Sequence, residues 1–339
     1  MEALEHLSYH FNEDLELRHT ETGEVFKFID QNHYEKLADA VAHYIQEIMI
    51  KDYDMMKLEL PLAEHLREDY EHYDEEKYGF ARCPIFVSSN YKQADVVLIL
   101  LCGTGRVASG QWARKLCIND SLKTGSVLPF LEWAKQHSFA VMVLNPNTNY
   151  IEPVEGSRIF IPFNDSAEAH VNYVWRAVCQ NLPANHFILV AHSYGGISTC
   201  NLLMTQGKEV LRRLRCVAFT DSINSNEMLS EEGKEFLAAH CVNWASSSTS
   251  LDTVISMPRE RNSMESGKGR KRSKMDFFER LRMRGSLCKV VSAGTQIHEE
   301  TTMSAYTSIC KFFIEQLKSL GIDVCAIPRS CEYVANRDS

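Results

Sequence analysis

Short runs that are wholly or nearly apolar recur along this chain, each closed by a polar or glycine-containing turn. Residues 96–101, 139–144, 187–191, 215–220 and 289–293 are such runs. A strand apolar at every position is buried on both faces, as in a parallel sheet covered by helices. Between the runs, residues 111–118, 170–182, 197–204, 228–240 and 302–320 read as helices. In the second of these Val171, Val174, Trp175 and Val178 share one face. The alternation predicts an α/β fold with a mostly parallel central sheet and helices on both faces.

The first sixty residues follow another rhythm. Residues 7–29 predict a β-hairpin in which Leu15 and Leu17 face Val25, Phe26 and Phe28 across the turn signal Thr20, Glu21, Thr22, Gly23, Glu24. Tyr34, Leu37, Val41, Tyr44, Ile45 and Ile48 recur at helical steps, so residues 33–50 predict an amphipathic helix. Strands are predicted at 57–62, ended by Pro61, and at 84–87. The organisation read from this is an N-terminal hairpin and helix (1–62), a main domain (63–320) and a tail (321–339). Residues 64–77, rich in Glu, Asp, Tyr and His, read as a solvated helix or loop in preference to an acidic docking surface. The serine- and threonine-rich stretch 246–250 reads as flexible.

The apolar run 187–191 ends in His192, Ser193, Tyr194, Gly195 and Gly196, and a helical stretch follows. Strand, tight turn and helix with a serine at the apex is a nucleophile elbow. Ala191 stands where the usual pattern has its first glycine. A serine hydroxyl is a weak nucleophile and needs a base, a carboxylate to orient that base, and N–H donors for the oxyanion. In α/β-hydrolases these follow in the order serine, acid, histidine. Asp221, at the end of one apolar run, and His298, in the loop after the last, fit that order, with Asp252 as the next candidate acid. The predicted oxyanion donors are the backbone N–H of Tyr194 and one from Gly103 or Thr104. His192 reads as a pocket wall, because neighbouring residues on a strand point apart. Cys102 reads as a small buried filler. No Gly-Lys-Ser/Thr sequence marks a nucleotide loop.

Charge adds one feature. The 339 residues carry a formal charge of −9, yet residues 257–286 hold ten Lys/Arg against four Asp/Glu. That segment reads as a surface excursion. Within it Lys268, Arg270, Lys271, Arg272 and Lys274 form a candidate nuclear-import signal or partner site. Outside it there is no basic aromatic platform, so direct nucleic-acid binding is weakly supported. The eleven cysteines are scattered, with no Cys-x-x-Cys, which points to buried thiols in a reducing compartment. No metal or cofactor site is predicted. The start of the chain lacks the pattern of a secretory signal. The longest apolar run, 96–102, is too short to span a bilayer.

Several strings together are more specific than the elbow. They are Gly110-Gln111-Trp112-Ala113-Arg114, Val143-Leu144-Asn145-Pro146-Asn147 with Asn149-Tyr150-Ile151-Glu152, Val190-Ala191-His192-Ser193-Tyr194-Gly195-Gly196, Thr220-Asp221-Ser222, Asn243-Trp244 with Ser246-Ser247-Ser248 and Leu251-Asp252-Thr253, and Val291-Ser292-Ala293-Gly294-Thr295 with His298-Glu299. Through them the chain resembles the vertebrate cotranscriptional regulators with an Argonaute-binding-protein-two (Arb-two) domain, over about residues 7–315, and looks closer to a second paralogue than to the best-known member. The resemblance implies an α/β-hydrolase-like fold and a nuclear protein also found in the cytoplasm. It implies partners among Argonaute, chromatin and splicing proteins, and fungal relatives that act in small-RNA-directed heterochromatin and histone deacetylase assemblies. It also implies a serine hydrolase acting on a small acyl substrate, with Ser193 at the nucleophile position. The chain departs from the family where Cys102 replaces a histidine before Gly103 and where Gln296 replaces an acid.

Overall fold

The computed structural model describes residues 2–69, 79–153, 156–223, 228–255, 287–322 and 324. The basic segment, with Lys268, Arg270, Lys271, Arg272 and Lys274, lies outside them, as do most of the tail and most of the acidic stretch after Asp69.

Strands β1 (Tyr9–Phe11) and β2 (Leu17–His19) form a small antiparallel pair. Then come β3 (Met55–Leu60), β4 (Cys83–Ser88), β5 (Val96–Leu101) and β6 (Ala140–Val143). The two-residue strands β7 (Tyr150–Ile151) and β8 (Ile159–Phe160) pair with each other. They are followed by β9 (His186–His192), β10 (Leu214–Thr220), β11 (Cys241–Ala245) and β12 (Lys289–Ser292). The central sheet has eight strands in the order β12-β11-β10-β9-β5-β6-β4-β3. Only β4 runs opposite to the other seven strands.

Six described helices reach nine residues: α1 (Gln31–Lys51), α2 (Leu128–Gln136), α3 (Ala167–Ala177), α4 (Gly195–Leu211), α5 (Glu231–His240) and α6 (Tyr306–Ser319). Alternate strand residues divide them into two layers. Leu98, Leu100, Ile188, Val190 and Ala218 meet α1, α2 and α6. Val97, Ile99, Leu101, Leu189, Ala191 and Phe219 meet α3, α4 and α5. Every residue of β5 is buried, as its unbroken apolar run predicts.

Four expectations need correction. The hairpin turns at residues 12–16, not 20–24. Asn12 Oδ1 accepts from the N–H groups of Asp14 and Glu16 and closes that turn, and the predicted partner residues Val25 and Phe28 are exposed. Strand β11 follows α5 without a turn and was not predicted, since its buried Asn243 interrupts the apolar pattern. Stretch 246–250 is tied down: the Ser247 N–H donates to Thr295 O and the Ser292 hydroxyl to Thr249 O. The closing helix is broken at Ala305 into Thr301–Ser304 and α6.

All nine cysteines among the described residues are buried thiols. No described helix is long and apolar enough to cross a membrane, and no described cluster of His, Cys, Asp and Glu could hold a metal.

Candidate active site

In a parallel sheet all the carboxyl ends open onto one edge, so loops distant in sequence converge there. Residues Thr220 and His192 are register partners at the ends of β10 and β9. Ser193 and Asp221 therefore leave adjacent strands side by side. The Ser193 N–H donates to Thr220 O at 2.9 Å, and the Asp221 N–H to Trp244 O at 2.8 Å.

Ser193 occupies the left-handed region, with φ +53°. A non-glycine residue held there is strained by its Cβ, and such strain concentrates at functional sites. The turn exposes part of Ser193 while α4 begins directly behind it. The Tyr194 N–H lies at the helix start, where N–H groups lack intrahelical partners. Gly195 faces the end of β5, where a Cβ would come within 3.2 Å of Leu101 O. That close approach is why a glycine stands there.

Asp221 and His298 meet. Asp221 is 1% exposed, and its Oδ2 lies 2.6 Å from Nδ1 of His298. Its Oδ1 accepts from the N–H and the hydroxyl of Ser246 at 3.0 and 3.1 Å. A buried carboxylate with three donors is satisfied without solvent. Asp252, the rival acid, is committed elsewhere: it accepts from Trp244 Nε1 at 2.8 Å and from the Ser308 hydroxyl at 2.6 Å.

The histidine beside Ser193 is held inside the protein. His192 is buried, and its Nδ1 lies 3.1 and 3.2 Å from the hydroxyls of Thr220 and Thr302. Its ring stands 4.7 Å, centroid to centroid, from that of His298.

Gly103 abuts the serine. A Cβ built on it would stand 2.8 Å from Ser193 Cβ and 3.3 Å from Ser193 Oγ. The Gly103–Thr104 backbone thus lies against Ser193, the placement that an oxyanion loop requires. Cys102 before it is buried, and burial pushes its thiol up to about 12. A thiol held neutral in this way is a filler, not a second nucleophile.

Two contributors escaped the sequence reading. Ser246, inside a stretch read as flexible, holds the acid. Asn147 bonds the loop after β5: it donates to Gly103 O at 2.9 Å and Val107 O at 3.0 Å, and accepts from the Gly105 N–H at 3.1 Å. The available signal for Asn147 was its place in the turn closing the buried run 139–144. Ser246 had no local signal.

Comparison with known proteins agrees with this architecture. The Arb2 domain family model matches residues 1–251. The protein named cotranscriptional regulator ARB2A in Homo sapiens is 30% identical over 93% of this chain and 80% of its own length. Its Xenopus tropicalis homologue is 30% identical over 94% and 80%, and the Dictyostelium discoideum homologue 30% over 93% and 80%. Among solved structures, the histone deacetylase Clr3 superposes with a TM-score of 0.50 over 86% of this chain, at 16% identity. This chain spans 40% of that protein's length, and the likeness concerns the fold alone. A match over residues 1–251, which include Ser193 and Asp221, with this identity across nine-tenths of the chain, makes the protein a member of the Arb2 domain family.

Proposed function

We propose that the protein is a nuclear cotranscriptional regulator, also present in the cytoplasm, built on a serine-hydrolase-like scaffold. It works where Argonaute, chromatin and splicing proteins meet, in small-RNA-linked heterochromatin and in splice choice. The observation that carries this reading is the 30% identity, over 93% of the chain, to a protein named a cotranscriptional regulator. The acidic body beside one basic segment supports a localised partner surface. Co-precipitation from nuclear extract tests it: Argonaute and splicing proteins are enriched over a control bait, and no enrichment rejects the role. Replacing Lys268, Arg270, Lys271, Arg272 and Lys274 together tests the import signal. Nuclear accumulation is lost if they form it and retained if they do not.

A second reading is favoured by one observation, the 2.6 Å pair of Asp221 and His298 behind a strained serine. In this reading the protein hydrolyses an ester or thioester of a small acyl group. His298, with Nδ1 donating to Asp221, keeps Nε2 as the base that takes the Ser193 proton. The Ser193 oxygen attacks the acyl carbon, and the N–H groups of Tyr194 and Thr104 receive the charge on the carbonyl oxygen. His298 returns the proton to the leaving group, and water releases the acyl chain by the same steps. A fluorophosphonate probe tests it. Wild type is labelled and Ser193→Ala is not; an unlabelled wild type ends the enzymatic reading, and labelling that survives the substitution ends the role of Ser193.

A further inference from the structure

The loop after β5 needs an outside hold. Gly103 has no Cβ, so the torsion on its side of the peptide that joins it to Thr104 carries no side-chain restraint. The orientation of that peptide matters, because in a trans peptide the carbonyl and the following N–H point in opposite directions. With the Gly103 carbonyl turned toward Asn147, the Thr104 N–H faces away from Asn147. With the peptide reversed, a carbonyl oxygen would stand where the oxyanion forms.

The far end of the loop is fastened to α1. Arg106 pairs with Glu35 at 2.6 Å, and Gln46 Nε2 donates to Ser109 O at 3.3 Å. At the near end the Gly103 carbonyl accepts from Asn147 Nδ2 at 2.9 Å. The Asn147 amide has one sensible orientation there. Gly103 O and Val107 O, with Cys102 Sγ at 3.7 Å, are acceptors that need its NH₂, and the Gly105 N–H is a donor that needs its oxygen. Asn147 is itself anchored by the turn that begins at Asn145, whose N–H donates to Nε2 of the buried His170 at 3.0 Å and whose Nδ2 donates to Pro84 O at 3.0 Å.

We propose that Asn147 is a positioning residue: its amide holds the Gly103–Thr104 peptide in the one orientation that presents the Thr104 N–H to the acyl oxygen. The proposal rests on the reading of Ser193 as an acyl-transfer nucleophile. It assigns Asn147 no contact with substrate. The residue acts through the loop.

Asn147→Asp is the informative substitution. It keeps shape and volume but places a carboxylate oxygen against two carbonyls, which favours turning the peptide so that the Thr104 N–H meets the new charge. Asn147→Ala removes the hold without reversing it. The second-order rate of fluorophosphonate labelling of the full-length chain, with thermal melting alongside, separates the cases. The expected result is a fall on the order of 10²-fold for Asn147→Asp, the size of a lost oxyanion donor, a smaller fall for Asn147→Ala, and similar melting of the two variants. A purely structural role predicts the reverse order, with the cavity-forming alanine at least as slow; that order, or wild-type labelling of Asn147→Asp, overturns the proposal. If the wild type itself is unlabelled, the hydrolase reading has failed, and the crystal structure of Asn147→Asp then decides the positioning role. A turned 103–104 peptide supports it, and an unturned one overturns it.

Discussion

Asp221 and His298, 77 residues apart in the chain, meet at 2.6 Å, while the second oxygen of the same carboxylate is taken by the N–H and hydroxyl of Ser246. The carboxylate is thereby fixed in rotation, and the oxygen that meets His298 selects the imidazole tautomer with the proton on Nδ1. Asp221→Asn keeps the shape and removes that selection. Labelling of Ser193 by a fluorophosphonate is expected to slow by roughly 10⁴-fold, the effect of losing the orienting carboxylate from a serine triad. Asp252→Asn is expected to label like wild type, because Asp252 bonds Trp244 and Ser308 and not His298. Equal rates for the two variants would remove Asp221 from the triad.

Gly103→Ala places a methyl 2.8 Å from Ser193 Cβ, which belongs to the strained elbow and has no rotamer to escape into. Labelling is expected to drop at least as far as for a lost oxyanion donor, on the order of 10²-fold. Far-ultraviolet circular dichroism is expected to stay that of wild type. A variant that labels normally would show the loop to be free of the nucleophile.

Phe313 on α6 is fully buried, with its ring 6.0 Å from that of Trp133. Phe313→Ala is expected to cost about 3–5 kcal/mol of unfolding free energy, through lost burial and the cavity left behind. The denaturation midpoint in urea checks this. The fraction that remains folded is expected to label with fluorophosphonate at the wild-type rate, since the residue lies away from the serine.

His170 gives a pH dependence with a definite sign. Burial lowers its pKa from 6.5 to about 3, so the folded protein keeps it neutral while the unfolded chain takes up a proton. Its contribution to stability is whole above pH 6.5 and is lost as pH falls toward 3, at about 1.4 kcal/mol per pH unit. In His170→Gln, whose amide can still accept from the Asn145 N–H and donate to Asn164, that part of the slope is expected to vanish. Urea unfolding at several pH values between 7 and 4 makes the comparison; parallel slopes for the two proteins would refute the assignment.

The sheet and the convergence of Asp221 with His298 were legible because they rest on local signals. Unbroken apolar runs marked β5, β6 and β9, and the order of Ser193, Asp221 and His298 followed from the ends of such runs. Strand β11 was hidden because Asn243 is buried there for a partner 21 residues away: its Nδ2 donates to Ser222 O at 3.0 Å. The hairpin was misplaced for a local reason, since the glycine-containing signal at 20–24 outweighed the Asx turn made by Asn12. Ser246 and Asn147 are short polar residues whose work is done through bonds to distant backbone or to an acid in another loop. Composition sees only that such residues favour turns.

The fastening of the oxyanion loop to α1 bears on how the molecule can be cut. Gly110 has room only because it carries no side chain, with Met49 Sδ and Ile45 Cγ2 within 2.9 Å of where a Cβ would be. Glu35 joins Arg106 and Arg114 from the same helix. A fragment trimmed to begin at β3 would open an apolar trench along one flank of the sheet and strip the neighbouring loop of its moorings. Whatever chemistry or partnership resides at the strand ends is therefore to be sought in recombinant protein that retains the first fifty residues.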